Sequence, residues 1–555
     1  MIGTPPAGVP RRNLAIALVL LVTLAAFALR FYRLSSQSLW TDEVASVRIA
    51  REPFAQITRE SGSENVYLPG YFLLLGAVLR DTNRDIEFQA RCLSALTGGL
   101  SVPLLMGLVF CWRRQWGTAL LAGLLLAVNP LHLWYSQETR AYATMLLFGL
   151  LTLLAYEMAR RSRKPGWWAV YVLCALGAIG LHKSALIFPI TCAVWHAWEV
   201  WRTKGRLREL AVHGAILGLA CCVLLLRPYP SPPANGRSRS ILELGYTFMT
   251  FVGGYSFGPS LTDIQSFGAL GAVSRHLGQV GIMAGVLAVV ALACVRELRA
   301  LARSKETSLM VLNLGFVTFT TLAFSFPFNV RYTLPGLLGF VALIPALDRG
   351  PGRRYVARLA IALVFLLGLW ADAQWFYCPA YRKTDSRALA QWLATHQDRV
   401  KSWTVLPAYL SDTVEWYLQG QPAILARNLR PTQPDTTSFP PVPDVLIIGR
   451  RHHIADPDQI IAAYCAAAAQ VRTNLSVAGF ELYLRAAAAP AEAGNPAPPS
   501  GYRSAASRLQ NREALQARRC LASECARPQA QQYPYARTLT GSHPTLLRPG
   551  TGALR

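Results

Sequence analysis

Apolar positions along this chain come in long blocks rather than in amphipathic stripes. Predominantly apolar runs fall near residues 13–30, 91–112, 118–135, 141–159, 166–181, 184–201, 210–226, 277–295, 308–326, 333–347 and 356–376. A helix needs about 20 apolar residues to cross a bilayer, with tolerance down to about 17. The pattern therefore predicts a polytopic α-helical membrane protein of about eleven spans, those at 166–181 and 333–347 being short. One further apolar segment, Tyr67 to Leu79, is ambiguous, because it starts at a Leu-Pro-Gly bend and stops at Arg80 after about 13 residues.

The connections between runs resolve that segment. If it does not cross, alternate connections hold Arg11-Arg12, Arg113-Arg114, Arg160-Arg161-Ser162-Arg163-Lys164, Arg202 to Arg208, Arg296 to Lys305, and Arg349 to Arg354. Cytoplasmic loops are rich in Lys and Arg, so these clusters mark a cytoplasmic face. The other connections (31–90, 136–140, 182–183, 227–276 and 328–332) then lie outside. Counting Tyr67–Leu79 as a crossing would send every later basic cluster outward, so it is expected to be a helix lying in or dipping into the outer interface. The N-terminus (1–12) is expected in the cytoplasm and the C-terminus outside, with a transmembrane region over 13–380 whose first outer loop is 31–90. Arg11-Arg12 precedes the first run, but only Arg30-Phe31-Tyr32-Arg33 follows it. There is no small-residue cleavage site, and the run reads as a retained span. No lipidation signal is present.

After the last run the pattern changes. Ser386–His396, Asp412–Leu418 and Pro457–Gln470 have helical spacing, whereas Ser402–Leu406, Asp444–Gly449 and Phe480–Leu484 read as strands. A small extracytoplasmic α/β domain is expected over 381–488. Residues 489–555 are rich in Ala, Pro, Arg and Gln with almost no aliphatic clusters, and are expected to be disordered. There is no internal repeat.

Composition agrees with the blocks. Of 555 residues, 52% are apolar and only 15% charged, against about 25% charged in soluble domains. The formal net charge is +25, but no basic stripe alternates with aromatics in a soluble segment, so nucleic-acid binding is not expected. Most of the 11 cysteines (Cys92, Cys111, Cys174, Cys192, Cys221, Cys222 and Cys294 among them) fall in apolar runs, where they act as small apolar residues. No CxxC or Cys/His ligand spacing suggests a zinc or redox centre. Cys378 and Cys465 both lie on the expected outer side, where a disulfide between them is open.

The spans carry almost no ionisable residues near their centres, unlike transporters and pumps, which bind ions at mid-membrane. The distinctive polar residues gather instead at outer ends. The sharpest group is Leu39-Trp40-Thr41-Asp42-Glu43-Val44-Ala45. Two adjacent carboxylates just after a span suit a base or a metal ligand, and on a helix they would point about 100° apart. The alternative is a helix start in which Thr41 or Asp42 caps and Glu43 complements the dipole. The second group, Asn129 to Tyr142, sets Glu138 and Arg140 in a turn too short to be a generic solvated loop. Its alternative is an interfacial anchor, with Trp134, Tyr135 and Tyr142 in an aromatic belt.

In order, the chain holds a first span, Trp-x-Asp-Glu, a Pro-Gly-Tyr-Phe-Leu-Leu-Leu segment, Arg91-Cys92-Leu93-Ser94-Ala95-Leu96 opening a span, Ser-Gln-Glu-x-Arg-x-Tyr, and Arg331-Tyr332-x-Leu-Pro. Over roughly 10–380 this resembles the polytopic GT-C glycosyltransferases, especially the family 39 protein O-mannosyltransferases and the related lipid A aminoarabinose transferase. The outer α/β domain resembles accessory domains of some bacterial members.

The resemblance implies an inverting enzyme of the plasma (inner) membrane. It would move a hexosyl or pentosyl group from a polyprenyl-phosphate carrier to a lipid, glycan or protein acceptor at the outer face. A sugar phosphodiester already contains a good leaving group, so the chemistry needs one base and cations to hold the departing phosphate, not the paired carboxylates of a retaining hydrolase. Asp42 matches the family's catalytic acid and is expected as the base. Glu43 would orient it or contact the acceptor, and Glu138 matches the second acidic position. Arg91, Arg140, Lys183 and Arg331 are candidates for the phosphate, each with a snorkelling interfacial cation as its alternative. Tyr67, Pro69, Tyr71, His182 and Tyr332 would shape the substrate site, His182 reading more as an interface marker than as a phosphate contact. Some relatives place a lysine before the proline where this chain has Leu68, so the phosphate contact must come from elsewhere. Asp42, Glu43 and Glu138 offer oxygen ligands to Mg²⁺ or Mn²⁺, but no obligatory cofactor or ion is expected. The competing reading is a membrane polysaccharide polymerase or ligase.

Overall fold

A computed structural model describes residues 9–63, 68–79, 85–203, 207–226, 242–295, 304–323, 328–348, 354–406, 410–429, 443–449, 471–477 and 479–485. Tyr67, Cys465, the expected helix 457–470 and the tail 489–555 lie outside the described residues. Among those described, the helices in chain order are α1 (Val9–Phe31), α2 (Thr41–Arg51), α3 (Phe54–Ser63), α4 (Gly70–Val78), α5 (Ile86–Arg113), α6 (Trp116–Ala127), α7 (Pro130–Ser136), α8 (Tyr142–Ser162), α9 (Pro165–Leu181), α10 (Ile187–Thr203), α11 (Leu210–Leu226), α12 (Leu242–Gly253), α13 (Leu261–Arg275) and α14 (Leu277–Val295). They continue with α15 (Lys305–Ala323), α16 (Leu334–Ala346), α17 (Arg354–Tyr377), α18 (Ser386–Thr395), α19 (Ser411–Tyr417) and α20 (Pro422–Leu425).

A helix lies on each of the eleven apolar runs. By length and composition, five described helices reach across a membrane: Asn13–Phe31, Ile86–Arg113, Tyr142–Ser162, Leu277–Val295 and Tyr355–Tyr377. The pair α6 and α7 makes a sixth if counted as one broken span, bent by 60°. Its break falls at Asn129-Pro130, where proline has no N–H to give and disfavours helical backbone before it. Asn129 mends the break. Its side chain accepts the His132 N–H at 3.0 Å and donates to the Phe251 carbonyl at 2.8 Å.

The connections are more structured than the apolar blocks imply. Residues 227–276, read from the sequence only as an outer connection, hold α12 and α13. The 12 residues of α12 are too few to cross, and Phe251 is buried in the main core. The ambiguous segment contains α4, whose nine residues span about 14 Å, far less than a bilayer core. It seats backbone on backbone: a Cβ at Gly70 would stand 2.6 Å from the Gly180 carbonyl oxygen.

The C-terminal region forms a four-stranded sheet in the order β1 (Trp403–Leu406), β2 (Val445–Ile448), β4 (Phe480–Arg485), β3 (Val471–Val477). β1 and β2 are parallel, and the other pairs antiparallel. The sequence reading missed β3 although Val471, Thr473, Leu475 and Val477 alternate. α18 and α19 pack on this sheet around Leu389, Val414 and Trp403.

Candidate active site

The first turn of α2 carries Asp42 and Glu43, and the two face different partners. Glu43 is fully buried. Its carboxylate accepts Nε and Nη2 of Arg91 at 2.8 and 2.7 Å. It also accepts the Thr139 N–H at 2.9 Å and, at 3.3 Å, the N–H of Trp40, which caps its own helix. Lys383 Nζ stands 3.5 Å away. Burial alone would raise this carboxyl, but the charges of Arg91 and Lys383 and the hydrogen bonds bring it down to about 2. The helix-start alternative is thus partly realised, but by Glu43 rather than by Thr41 or Asp42.

Arg91 is engaged throughout. Besides Glu43, Nη1 donates to the carbonyls of Leu34 and Gln37 at 2.9 and 2.8 Å, and Nη2 to that of Ser38 at 2.9 Å. All five guanidinium N–H groups are therefore spent inside the protein. This corrects the expectation that Arg91 holds a phosphate. It instead clamps the loop leading into α2.

Asp42 turns the other way, toward Arg140 and Arg331. Arg140 Nη2 lies 3.3 Å and Arg331 Nη1 3.8 Å from its Oδ2. Arg140 also donates to the Asp42 carbonyl and to Ser46 Oγ, both at 3.3 Å. Arg331 sits over the rings of Tyr142 and Tyr332, 5.8 and 5.4 Å from their centroids, and keeps 19% of its side chain exposed.

Glu138 comes from the turn between α7 and α8. Gln137 anchors that turn by donating to the carbonyls of Arg30 and Tyr32 at 3.0 and 2.9 Å and by accepting Trp375 Nε1 at 2.7 Å. Glu138 is buried, which pushes its carboxyl up. Lys383 at 3.4 Å pulls the other way, and the charge of Glu43 adds to the rise. Lys383 bridges Glu43 and Glu138 while lying against the rings of Trp40 and Trp134 at 5.1 and 5.6 Å. Sequence reasoning passed over it. The signal was available: a cation directly after the last apolar run, at the same expected face as Arg91 and Lys183.

His182 and Lys183 stand at the end of α9. His182 is fully buried, its Nδ1 accepting the Ser184 N–H at 3.1 Å, and its ring lies 5.2 Å from Tyr142 and 5.8 Å from Tyr332. Burial, then the charges of Arg331, Arg140 and Lys183, hold it well below the usual imidazole range, so it is neutral at physiological pH. Lys183 is half-buried at the start of a 3₁₀ turn. Pro69 caps α4, and Tyr71 is buried beside Phe72. Among the described residues, no three His, Cys, Asp or Glu side chains gather as a metal site.

Three carboxylates and four cations thus converge from the first outer loop, the 137–140 turn, the start of α5, the turn before α16 and the segment after α17. Residues 79–228 match the family described as dolichyl-phosphate-mannose-protein mannosyltransferase, a stretch that holds Arg91, Glu138, Arg140, His182 and Lys183. The resemblance to the family 39 group read from the motifs is therefore found independently there. A search of curated proteins returns no match. Among solved structures, the S. cerevisiae protein O-mannosyltransferase Pmt1-Pmt2 complex bound to the sugar donor matches at 16% identity and TM-score 0.32, over 41% of this chain. That match spans 33% of the yeast chain. ArnT from Cupriavidus metallidurans in the apo state matches at 16% identity and TM-score 0.42, over 84% of this chain and 98% of that one. The Archaeoglobus fulgidus oligosaccharyltransferase in complex with Zn and sulfate matches at 12% identity and TM-score 0.42, over 74% and 62%.

Proposed function

We propose that this chain is a multi-pass membrane glycosyltransferase that moves a sugar from a polyprenyl-phosphate carrier to an acceptor on the extracytoplasmic side, with inversion. The observation that carries the reading is the unequal environment of the two neighbouring acids. Glu43 is held by a two-point pair with Arg91 and is fully buried, whereas Asp42 lies between two other cations, Arg140 at 3.3 Å and Arg331 at 3.8 Å.

In the reaction, Asp42 takes the proton of the acceptor hydroxyl as its oxygen bonds to the anomeric carbon. The bond from that carbon to the phosphate oxygen breaks, and its electron pair leaves with the polyprenyl phosphate. Arg140 and Arg331 stabilise the charge that grows there, with Lys183, which follows His182 in the chain, as a further cation. Glu43 and Arg91 fix the start of α2, and Lys383 holds Glu138 beside Glu43. His182, neutral and packed on Tyr142 and Tyr332, shapes the pocket without adding charge. No ion is required, since the three acids are already balanced by protein cations, and transfer is expected to survive EDTA.

The test is sugar transfer in membranes with a panel of radiolabelled polyprenyl-phosphate sugars, comparing wild type with Asp42→Asn. Release from one donor, lost in the variant, supports the class and names the donor. Equal turnover in both proteins removes Asp42 as the base. No turnover with any donor, in membranes that contain acceptors, moves the assignment to a polymerase or ligase.

A further inference from the structure

The C-terminal region touches the acidic site through more than Lys383. We propose that it completes the active site by holding the loop that leads into α2, and that Tyr417 is the positioning residue through which it acts, an inference that rests on the transfer reaction proposed above.

The loop at 34–43 hangs from α5 by two rungs. The inner rung is Arg91, bound to three loop carbonyls and Glu43. The outer rung starts one turn earlier at Glu87, which is buried and accepts both Arg387 Nη1 at 3.0 Å and the Tyr417 hydroxyl at 2.9 Å. The same Tyr417 oxygen accepts the Leu39 N–H at 2.7 Å. Leu39 is itself fully buried, so without that hydroxyl its N–H faces no water and loses its partner. Three residues on from Leu39 stands Asp42.

Other contacts act in the same direction. Thr413 Oγ1 donates to Thr41 Oγ1 at 3.2 Å, Ser386 N–H to Ser38 Oγ at 3.1 Å, and Lys383 N–H to Gln37 Oε1 at 3.0 Å. Trp416 packs with Leu39, Val44, Val47 and Ala90, and the guanidinium of Arg51 lies 5.1 Å from its ring centroid. Every residue from Gln37 to Thr41 is therefore touched from beyond the last apolar run, Trp40 through the Lys383 ammonium over its ring. Arg91 fixes the loop from inside the bundle, and Tyr417 fixes it from outside.

Tyr417→Phe removes one oxygen and keeps the ring. With the donor that wild type uses, kcat is expected to fall about tenfold while KM for the donor stays within about twofold, because positioning acts in the transition state rather than on donor binding. Hydrogen–deuterium exchange of the amides around 39–47 is expected to rise in the same variant, while the amides of α8 keep their protection. If wild type turns over a donor and Tyr417→Phe leaves kcat unchanged, or leaves exchange at 39–47 unchanged, the proposal is overturned. If wild type turns over no donor, the transfer reading fails first, and exchange alone judges the clamp. Thr413→Val severs the contact to Thr41 and should move both readouts the same way by less. It carries the test if Tyr417→Phe does not fold.

Discussion

The two ends of the helix bundle both bury carboxylates among cations, yet they are built on opposite plans. At one end Glu157 is fully buried and meets Lys305, Arg160 and Arg161, with Trp112 Nε1 donating at 3.2 Å. Glu306 there takes Nε and Nη2 of Arg113 at 2.7 and 2.8 Å. The cations of that end lean outward, with 18–28% of each side chain exposed. Arg91 and Arg113 lie about 33 Å apart along α5, roughly one bilayer core away. At the acidic-site end three of the four cations are enclosed: Arg91, Arg140 and Lys383 show only 3%, 6% and 10% of their side chains, and Arg331 alone of these four keeps 19%. Cations that reach outward anchor a helix end and can be rehydrated. Cations enclosed with carboxylates keep their field for whatever enters, because little water screens them.

Asp42→Asn tests this contrast most severely. It keeps the shape and removes the base, so transfer is expected to fall on the order of 10²–10⁴-fold with the melting temperature in detergent nearly unchanged. A matching loss of melting temperature would make Asp42 a strut like Glu157.

Glu43→Gln should do the reverse. It leaves the Arg91 charge enclosed without a counter-ion, which costs roughly 3–5 kcal/mol, read as a lower melting temperature and poor yield. Its pH signature has a definite sign. The folded carboxyl at about 2 lies below its ordinary 4.5, so ionised Glu43 stabilises above pH 4.5, and that stability drains as pH falls toward 2. Wild type should show that decline in acid melts, and Glu43→Gln should lack its share of it.

Lys383→Met sharpens the comparison within the site. Lys383 opposes the burial that raises Glu138, so its loss lets that carboxyl rise further. With the cation between Glu43 and Glu138 gone, transfer is expected to fall roughly tenfold, read as kcat in the membrane assay. Glu157→Gln is expected to do least. Its cations can turn outward, so transfer should stay within about twofold and stability drop by about 1 kcal/mol; a large loss of transfer would erase the distinction between the two ends.

The sequence makes one of these plans easier to read than the other. Long apolar blocks and basic clusters such as Arg160-Arg161 locate helices and their ends from neighbours in the chain, and the structure puts a helix on each block. The candidate residues Asp42, Glu43, Glu138, Arg140 and Arg331 come from motif order, and they do converge. What stays hidden is which acid meets which base. Arg91 lies 48 positions from Glu43 and Lys383 lies 340 from it, and no local periodicity links them. α12 and α13 escape notice because short helices in a long connection lack the block pattern, and β3 because its alternation carries polar Arg472 and Asn474.

The hydrogen bond between Leu39 and Tyr417 joins residues 378 positions apart, and this sets a clock on biogenesis. At about 5–20 residues per second, ribosomes need roughly 20–80 s to pass from one to the other. For that interval the acids are already translated while their outer rung is still unmade. A nascent chain thus waits in the membrane with the loop before α2 slack, and that loop is fastened only once Tyr417 has been made.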